Sequence, residues 1–180
     1  MGVNLPLKLR LIALLVILLV CAVGIAQASA PTRQSLFFIE RSKNANIVQY
    51  DAQVDSSGRL VRDEPVVAYW IRLAEQGQEK ELSWMQWLFA FGFDTKFTPE
   101  NGIVGLEMNA GIDRLISIVR DGERFRARVV IDGFQAYLDR VFIKSQRKGF
   151  FVDVDYIELF GEDIESAGGR YEKIIFDDDG

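Results

Sequence analysis

The residues of this sequence best suited to binding chemistry are three cations and one amide near the ends of two predicted strands. They are Arg41, Lys43, Asn46 and Arg72. A guanidinium presents its N–H groups as a planar fork that matches the two oxygens of a carboxylate or a phosphate. We therefore expect these four residues to line a site for an anionic group.

The direction of the Arg41 side chain is predicted by the hairpin around it, in the run SLFFIERSKNANIVQYD. A two-residue turn at Lys43 and Asn44 would set the pairs Phe37 with Tyr50, Ile39 with Val48, and Arg41 with Asn46. Because side chains alternate along a strand, Arg41 would then lie on the apolar face. Two interpretations stay open: a structural role, as an ion pair with Asp or Glu of a neighbouring strand or a clamp on carbonyl groups at the barrel end, or an anchor for a ligand.

A second arrangement that could do chemistry is the carboxylate pair Asp153 and Asp155 in FFVDVDYIELF. Two residues apart on a strand, the side chains would emerge on one face about 7 Å apart, a separation that overlaps the one used by glycosidases. The better apolar face, however, is formed by Phe150, Val152, Val154 and Tyr156. We therefore expect both aspartates to point to water, and a carboxylate-dependent hydrolase is the alternative function.

Several chemistries are excluded by composition. The sequence contains no histidine, and Cys21 is its only cysteine. Ser-His-Asp and Cys-His nucleophile arrangements, and metal or haem sites that depend on His, are therefore impossible. We predict no cofactor and no metal. The formal net charge of -5 would repel phosphate backbones, so no nucleic-acid partner is expected.

Residues 1–28 have the layout of a secretory signal peptide. Lys8 and Arg10 precede an apolar run from Leu11 to Ala26, and Ala26-Gln27-Ala28 offers a cleavage site. Cleavage would leave residues 29–180 as a single β-rich domain, periplasmic or secreted, with no stable membrane span. An uncleaved anchor is the second interpretation, because the apolar run is shorter than the roughly 20 residues that cross a bilayer comfortably.

The elements that must position these side chains are predominantly strands. Short runs of Val, Ile, Phe and Tyr are separated by Gly, Asp and Asn. Asp-Gly pairs favour two-residue hairpin turns, and the sequence has them at Asp121-Gly122 and Asp132-Gly133. Residues 113–160 are predicted as a four-stranded meander. The whole domain is predicted as an all-β, antiparallel barrel of about eight or nine strands, because closure removes exposed edges. A β-sandwich is the alternative.

One short helix is predicted in LSWMQWLFAFG, with Ser83 and Gln86 at capping-box spacing and Gly92 at its end. Its apolar residues at helical spacing are Trp84, Trp87, Leu88 and Phe91. We expect this stripe to pack onto the sheet or plug the barrel. The alternatives are a lid over a cavity and contact with a membrane surface, although the segment from Leu82 to Phe93 contains no basic residue.

One run of the sequence carries a family resemblance. Phe38-Ile39-Glu40-Arg41-Ser42-Lys43-Asn44, then Asn46, Val48 and Tyr50, followed by EPVVAYW, resembles DUF4833, a domain-of-unknown-function family of small secreted bacterial proteins. The resemblance covers most of the predicted domain. It implies no activity, since the family has no established function.

The leading functional hypothesis is therefore an exported domain that binds a small amphipathic or anionic ligand, or a partner protein of the cell envelope, at the end that carries Arg41. No catalysis is expected of it. The alternatives are a hydrolase that acts on envelope carbohydrate through Asp153 and Asp155, and a structural protein of the envelope.

Overall fold

The structure is a computed structural model that describes residues 30–42, 44–98, 103–109, 112, 114–148 and 151–176. The protein is all-β, as predicted, with one short helix and one 3₁₀ turn (Leu73–Glu75) in the described ranges. The strands are β1 (Thr32–Arg41), β2 (Asn44–Val54), β3 (Val66–Arg72), β4 (Gln78–Glu81), β5 (Phe93–Thr98), β6 (Ile103–Met108), β7 (Ile116–Asp121), β8 (Arg124–Ile131), β9 (Phe134–Lys148), β10 (Phe151–Asp163) and β11 (Gly169–Ile175).

The strands form one sheet with a path of nine, in the order β4-β3-β2-β1-β9-β8-β7-β6-β5, and β10 and β11 lie off this path. The sheet branches at the long strand β9. Its first residues pair with β8 and Arg140–Ile143 pair with β1, while β10 follows its other edge. The β1–β9 pairing is parallel, so the expectation of a wholly antiparallel sheet is wrong.

The sheet is curled but open. β4 and β5 lie at the two ends of the strand path, and in the described ranges they do not pair with each other. The expectation of a closed barrel of eight or nine strands is therefore not met by this eleven-stranded sheet. The meander predicted for residues 113–160 is present as β7, β8, β9 and β10, each antiparallel to the next.

The concave side of the sheet is filled by apolar side chains contributed from both arms of the strand path. Phe37 and Tyr50 stack with ring centres 4.5 Å apart, and Tyr50 reaches Phe93 of β5 at 5.9 Å. The Tyr50 hydroxyl donates a hydrogen bond of 2.7 Å to the Phe91 carbonyl oxygen. Stacked and tilted aromatic rings thus connect the two arms, and burial of such large side chains dominates the stability of the core.

The helix connects the two ends of the strand path. It begins as α1 (Trp84–Gln86) and continues as a π-helical turn (Trp87–Phe91); together these are called the short helix below. The predicted capping box is present, with Ser83 accepting from the Gln86 backbone and the Gln86 side chain accepting from the Ser83 N–H. Gly92 follows the last residue and donates to the Trp87 carbonyl oxygen at 2.8 Å.

The apolar stripe predicted to pack inward does so only at one end. Phe91 is buried, but Trp84 is 72% and Leu88 is 52% exposed. The expectation that the whole stripe covers the sheet is therefore wrong. The physical reason is the change from α-helical to π-helical pitch after Gln86, which breaks the 3.6-residue period on which the stripe was built.

The hairpin of β1 and β2 keeps part of the predicted register. Phe37 pairs with Tyr50 and Ile39 with Val48, as expected, but Arg41 pairs with Asn44 and not with Asn46. The register shifts after Glu40, so that Ala45 and Asn46 stand outside the regular ladder. Lys43 lies outside the described residues, as does the predicted signal peptide.

Among the helices of the described ranges, none has the length and apolar character needed to cross a bilayer.

Candidate functional site

A cleft of about 160 Å³ lies at the end of β1, where the last residues of β3, the strand β4 and the short helix come together. Its lining residues are Arg41, Asn46, Trp70, Arg72, Lys80 and Gln86. Three of the six are cations, and none is acidic. The lining of the cleft is therefore positively charged.

Sheet register explains why these side chains meet. Trp70 pairs with Val48 on one side and with Lys80 on the other, so the three lie in one row across β2, β3 and β4. Cross-strand partners point to the same face of a sheet. Arg72 follows two residues after Trp70 and therefore shares its face, one row nearer the strand end. The cations are thus presented along the rim of the apolar concave side.

The Arg41 guanidinium lies against two aromatic rings. Its carbon Cζ is 5.1 Å from the ring centre of Trp70 and 5.2 Å from that of Phe91. Both distances fall within the roughly 6 Å over which a cation is attracted to an aromatic face. Arg41 is only partly exposed, and its Nε atom is buried without a hydrogen-bond partner among the described residues.

Among the residues that the structure describes, no carboxylate compensates this burial. Desolvation lowers the pKa of Arg41, and no charged or hydrogen-bonding group of the described protein opposes the effect. Since arginine stays protonated at any physiological pH, the lowered pKa expresses the cost of holding a charged group partly out of water. The structural ion pair that was one interpretation of Arg41 is therefore not present among the described residues.

Other arginines of the protein are held differently. Arg140 donates to Glu40 at 3.1 Å, and Arg114 donates to both carboxylate oxygens of Glu172 at 2.6 and 2.5 Å. That two-pronged contact raises the pKa of Arg114, the opposite of the direction found for Arg41. The aromatic rings of Trp70 and Phe91 attract the charge of Arg41. Among the described residues, however, Arg41 has no carboxylate partner of the kind that Arg114 and Arg140 have.

The other two cations of the cleft differ in their surroundings. Arg72 donates to Glu75 at 2.6 Å, which offsets its charge. Lys80 is exposed on the short strand β4. With Glu75 counted against Arg72, the cleft keeps an excess of positive charge from Arg41 and Lys80. This excess stands out because the chain as a whole is acidic, with a formal net charge of -5.

The aromatic wall of the cleft is fixed by polar contacts from the short helix. The Trp70 indole Nε1 donates to Gln86 Oε1 at 3.2 Å, and the same oxygen accepts the Ser83 N–H at 3.0 Å. Trp70 also packs edge-on against Phe91, with ring centres 5.2 Å apart. Gln86 therefore joins the start of the helix to the ring on which Arg41 lies.

Three of the four residues predicted for the site line the cleft: Arg41, Asn46 and Arg72. Lys43 lies outside the described residues. Sequence reasoning missed Trp70, Lys80 and Gln86. A signal for Trp70 was available, because it stands two residues before Arg72 on a strand and must share its face. Lys80 could not be placed without knowing that β4 pairs with β3.

The strand that carries the predicted carboxylate pair is irregular at Asp155, and the role of the pair stays a prediction. A register shift between Val154 and Tyr156 puts Asp155 outside the regular β9–β10 ladder. The alternation that was to place Asp153 and Asp155 on one face is therefore interrupted between them. In addition, no three His, Cys, Asp or Glu residues of the described ranges come together in a way that could hold a metal ion.

The fold and the cleft define an all-β protein with an open, curled sheet and a cationic, aromatic-lined site at the end of its first strand. A family model described as Domain of unknown function (DUF4833) matches residues 37–173, and the chain belongs to this family. The resemblance in the sequence is thereby confirmed, and the matched segment contains every residue that lines the cleft. No curated protein and no solved structure is significantly similar to the chain.

Proposed function

We propose that this protein binds the anionic group of a small amphipathic ligand in the cleft at the end of β1. The observation that carries the proposal is the Arg41 guanidinium, held between Trp70 and Phe91 without a carboxylate partner among the described residues. An uncompensated, partly buried charge lowers stability. A phosphate or carboxylate in the cleft would supply the missing counter-charge.

The size of the cleft limits what can enter it. Pockets that enclose whole drug-sized ligands have volumes of roughly 300–1,000 Å³, whereas this one has about 160 Å³. It suits a head group and not a complete amphiphile. The apolar part of the ligand would have to lie outside, against side chains at the edge of the cleft.

The proposed setting is the cell envelope. It rests on the sequence alone, through the signal-peptide layout of residues 1–28. An envelope protein has anionic amphiphiles within reach, which agrees with a cationic cleft on an otherwise acidic chain. We propose an exported, bacterial, ligand-binding protein.

The proposal is tested by titrating the purified full-length protein with dihexanoyl phosphatidylglycerol, kept below its micelle concentration so that it acts as a soluble, monomeric anion. Binding is measured by calorimetry in the wild type and in Arg41→Ala. Loss of a charged hydrogen-bond donor is expected to weaken binding by about tenfold or more. Native mass spectrometry of the freshly purified protein would show whether a ligand already occupies it.

Arg59→Ala is the matched control. This substitution removes one positive charge in a turn after β2. The Arg59 side chain is 80% exposed, and its Nε atom lies 3.7 Å from the Asp55 carboxylate. The affinity of this variant for the lipid should equal that of the wild type. If Arg41→Ala binds as tightly as Arg59→Ala, the cleft is not the binding site and the proposal is wrong.

A further inference from the structure

The short helix presents a second feature that the cleft alone does not explain. Four large apolar side chains on it are exposed: Trp84 by 72%, Met85 by 55%, Leu88 by 52% and Phe89 by 66%. We call these four residues the apolar helix surface. Single exposed apolar residues are ordinary, whereas four on one short helix are typical of a surface that contacts an apolar partner.

The surroundings of the apolar helix surface favour an anionic partner. The helix itself has no basic residue, but the fold brings Arg41, Arg72 and Lys80 to the cleft that its own Gln86 lines. Cations from three different strands therefore line the same cleft as a residue of the helix, and the charge of one of them, Arg72, is offset by Glu75. An apolar layer bordered by negative charge matches this pattern, and a phospholipid bilayer with anionic head groups has both parts.

The identity of the exposed residues agrees with an interface between water and hydrocarbon. Tryptophan is enriched at the head-group level of membranes because its ring is apolar and its N–H is polar. Trp84 is the most exposed residue of the apolar helix surface, and Trp87 beside it is 38% exposed. The small cleft also leaves the acyl chains of any bound lipid outside, where these side chains are found.

We infer that the protein docks on anionic phospholipid membranes through the apolar helix surface, with a lipid head group entering the cationic cleft. Trp84, Met85, Leu88 and Phe89 lie at the level of the upper acyl chains, and Arg41 and Lys80 contact the lipid phosphate. The cleft part of this inference rests on the proposed function. The docking part stands on the exposed helix residues.

The test uses the full-length protein and vesicles of equal parts phosphatidylcholine and phosphatidylglycerol, with bromine atoms on the acyl chains. Bromine quenches tryptophan fluorescence only at short range, so quenching reports that the indoles of the helix enter the bilayer. We expect quenching in these vesicles and little in vesicles of phosphatidylcholine alone. Quenching requires that the helix itself enters the bilayer. Attachment of the protein to the vesicle through its apolar residues near the amino terminus would not produce it.

The deciding variant is Leu88→Gln with Phe89→Gln, which keeps every tryptophan as a reporter. Burying two such side chains is favourable enough that their loss should weaken insertion of the helix, measured as bromine quenching, by about tenfold or more. The matched control is Tyr171→Gln with Ile175→Gln, which removes two comparably exposed side chains from β11 and should behave as the wild type. Both variants change exposed residues, so both should fold.

The outcomes separate this inference from the proposed function. If the wild type binds soluble dihexanoyl phosphatidylglycerol through Arg41 but shows no quenching in vesicles, docking is wrong and the cleft proposal stands. If quenching is lost in Leu88→Gln with Phe89→Gln while Arg41→Ala leaves soluble binding unchanged, docking stands and the cleft proposal is wrong. Equal quenching in neutral vesicles, or a dimer in solution that the Leu88 and Phe89 changes dissociate, overturns the inference.

Discussion

The Arg41 guanidinium carbon lies 5.1 Å from the centre of the Trp70 ring, and no carboxylate of the described protein pairs with it. An arginine kept for stability is expected to have its charge compensated, since an uncompensated buried charge is costly. The Trp70 ring attracts the positive charge of Arg41 but does not neutralise it. The arrangement leaves the positive charge available to a ligand at a cost to the folded state.

Replacement of Arg41 by methionine tests that relationship. The Met stem can pack on Trp70 and Phe91, and the desolvated charge is gone, so the free energy of unfolding should stay within about 1 kcal/mol of the wild type or rise. Anion binding should be lost. Urea denaturation and lipid titration of the same preparation give both quantities.

Arg140→Met is the comparison for this prediction. Arg140 donates to Glu40 and lies 3.9 Å from the Phe160 ring centre, so its removal should cost up to about 1 kcal/mol and leave anion binding intact. A loss of several kcal/mol in Arg41→Met would contradict the interpretation and return Arg41 to a structural role.

How far the sequence predicts the site can be judged from Arg41 itself. Alternation along β1 placed its side chain on the apolar face, and the structure puts it against the buried rings of Trp70 and Phe91. Its strand partner was predicted wrongly because Ala45 and Asn46 leave the ladder. A bulge of this kind inserts residues into one strand without a characteristic sequence, so the alternation of apolar and polar residues cannot reveal it.

Gln86→Glu gives a second prediction, because position 86 lies among three cations. A glutamate oxygen can accept from Trp70 Nε1 and from the Ser83 N–H as the amide oxygen does now. Its negative charge would occupy the place proposed for the ligand anion. We expect unchanged or higher stability and lipid binding weakened by about tenfold or more.

Gln86→Ala is the partner variant for that prediction. It removes the acceptor of the Trp70 indole N–H and should lower the free energy of unfolding by about 1–3 kcal/mol. Thermal and urea denaturation of both variants would measure the difference. If Gln86→Glu bound the lipid as tightly as the wild type, the cleft could not be where the anion is held.

The fold was predictable where contacts are local in sequence. The meander of β7 to β10 follows from turn residues such as Asp132 and Gly133, which both adopt the positive φ of a tight hairpin. The parallel pairing of Phe38–Arg41 with Arg140–Ile143 was not predictable. These segments are about a hundred residues apart, and nothing in either run specifies the other. Lys80 was missed for a different reason: β4 pairs with the nearby strand β3, but its sequence QEKE is entirely polar and has no strand pattern.

Asp163 provides a prediction in acid. Its carboxylate accepts from the Glu165 and Ser166 N–H groups at 2.9 and 2.7 Å and from Arg170 Nε at 2.6 Å. Led by the bond from the Ser166 N–H, these contacts lower the pKa of Asp163 from the usual 3.8 to about 2. A lowered pKa in the folded state means that the carboxylate stabilises the protein above about pH 4, and that this contribution is lost as the pH falls toward 2.

Asp163→Asn should therefore be less stable than the wild type at neutral pH, and the difference should shrink as the pH falls from about 4 to about 2. Urea denaturation at several pH values gives this difference directly. Asp121→Asn is a suitable control, since that aspartate is exposed and its nearest cation, Arg126, is 4.0 Å away. A difference between wild type and Asp163→Asn that does not depend on pH would contradict the assignment.

Gly161 gives a prediction about the branch point of the sheet. A Cβ atom at this position of β10 would collide with the Tyr137 carbonyl oxygen of β9 and would lie 2.9 Å from Ile131 Cδ1. The Tyr137 carbonyl oxygen belongs to the backbone of β9. It can move only if the β9–β10 pairing is disturbed, next to the register shift between Phe160 and Gly161. We expect Gly161→Ala to lower the free energy of unfolding by about 2 kcal/mol or more.

Gly169→Ala is the control for this prediction. Gly169 lies on β11 and pairs with Glu162, and a Cβ atom there meets no atom within 4 Å. The substitution should change the free energy of unfolding by less than about 0.5 kcal/mol. Equal stability of the two variants in urea denaturation would contradict this prediction, because it would mean that the close approach of the β9 and β10 backbones does not contribute to stability.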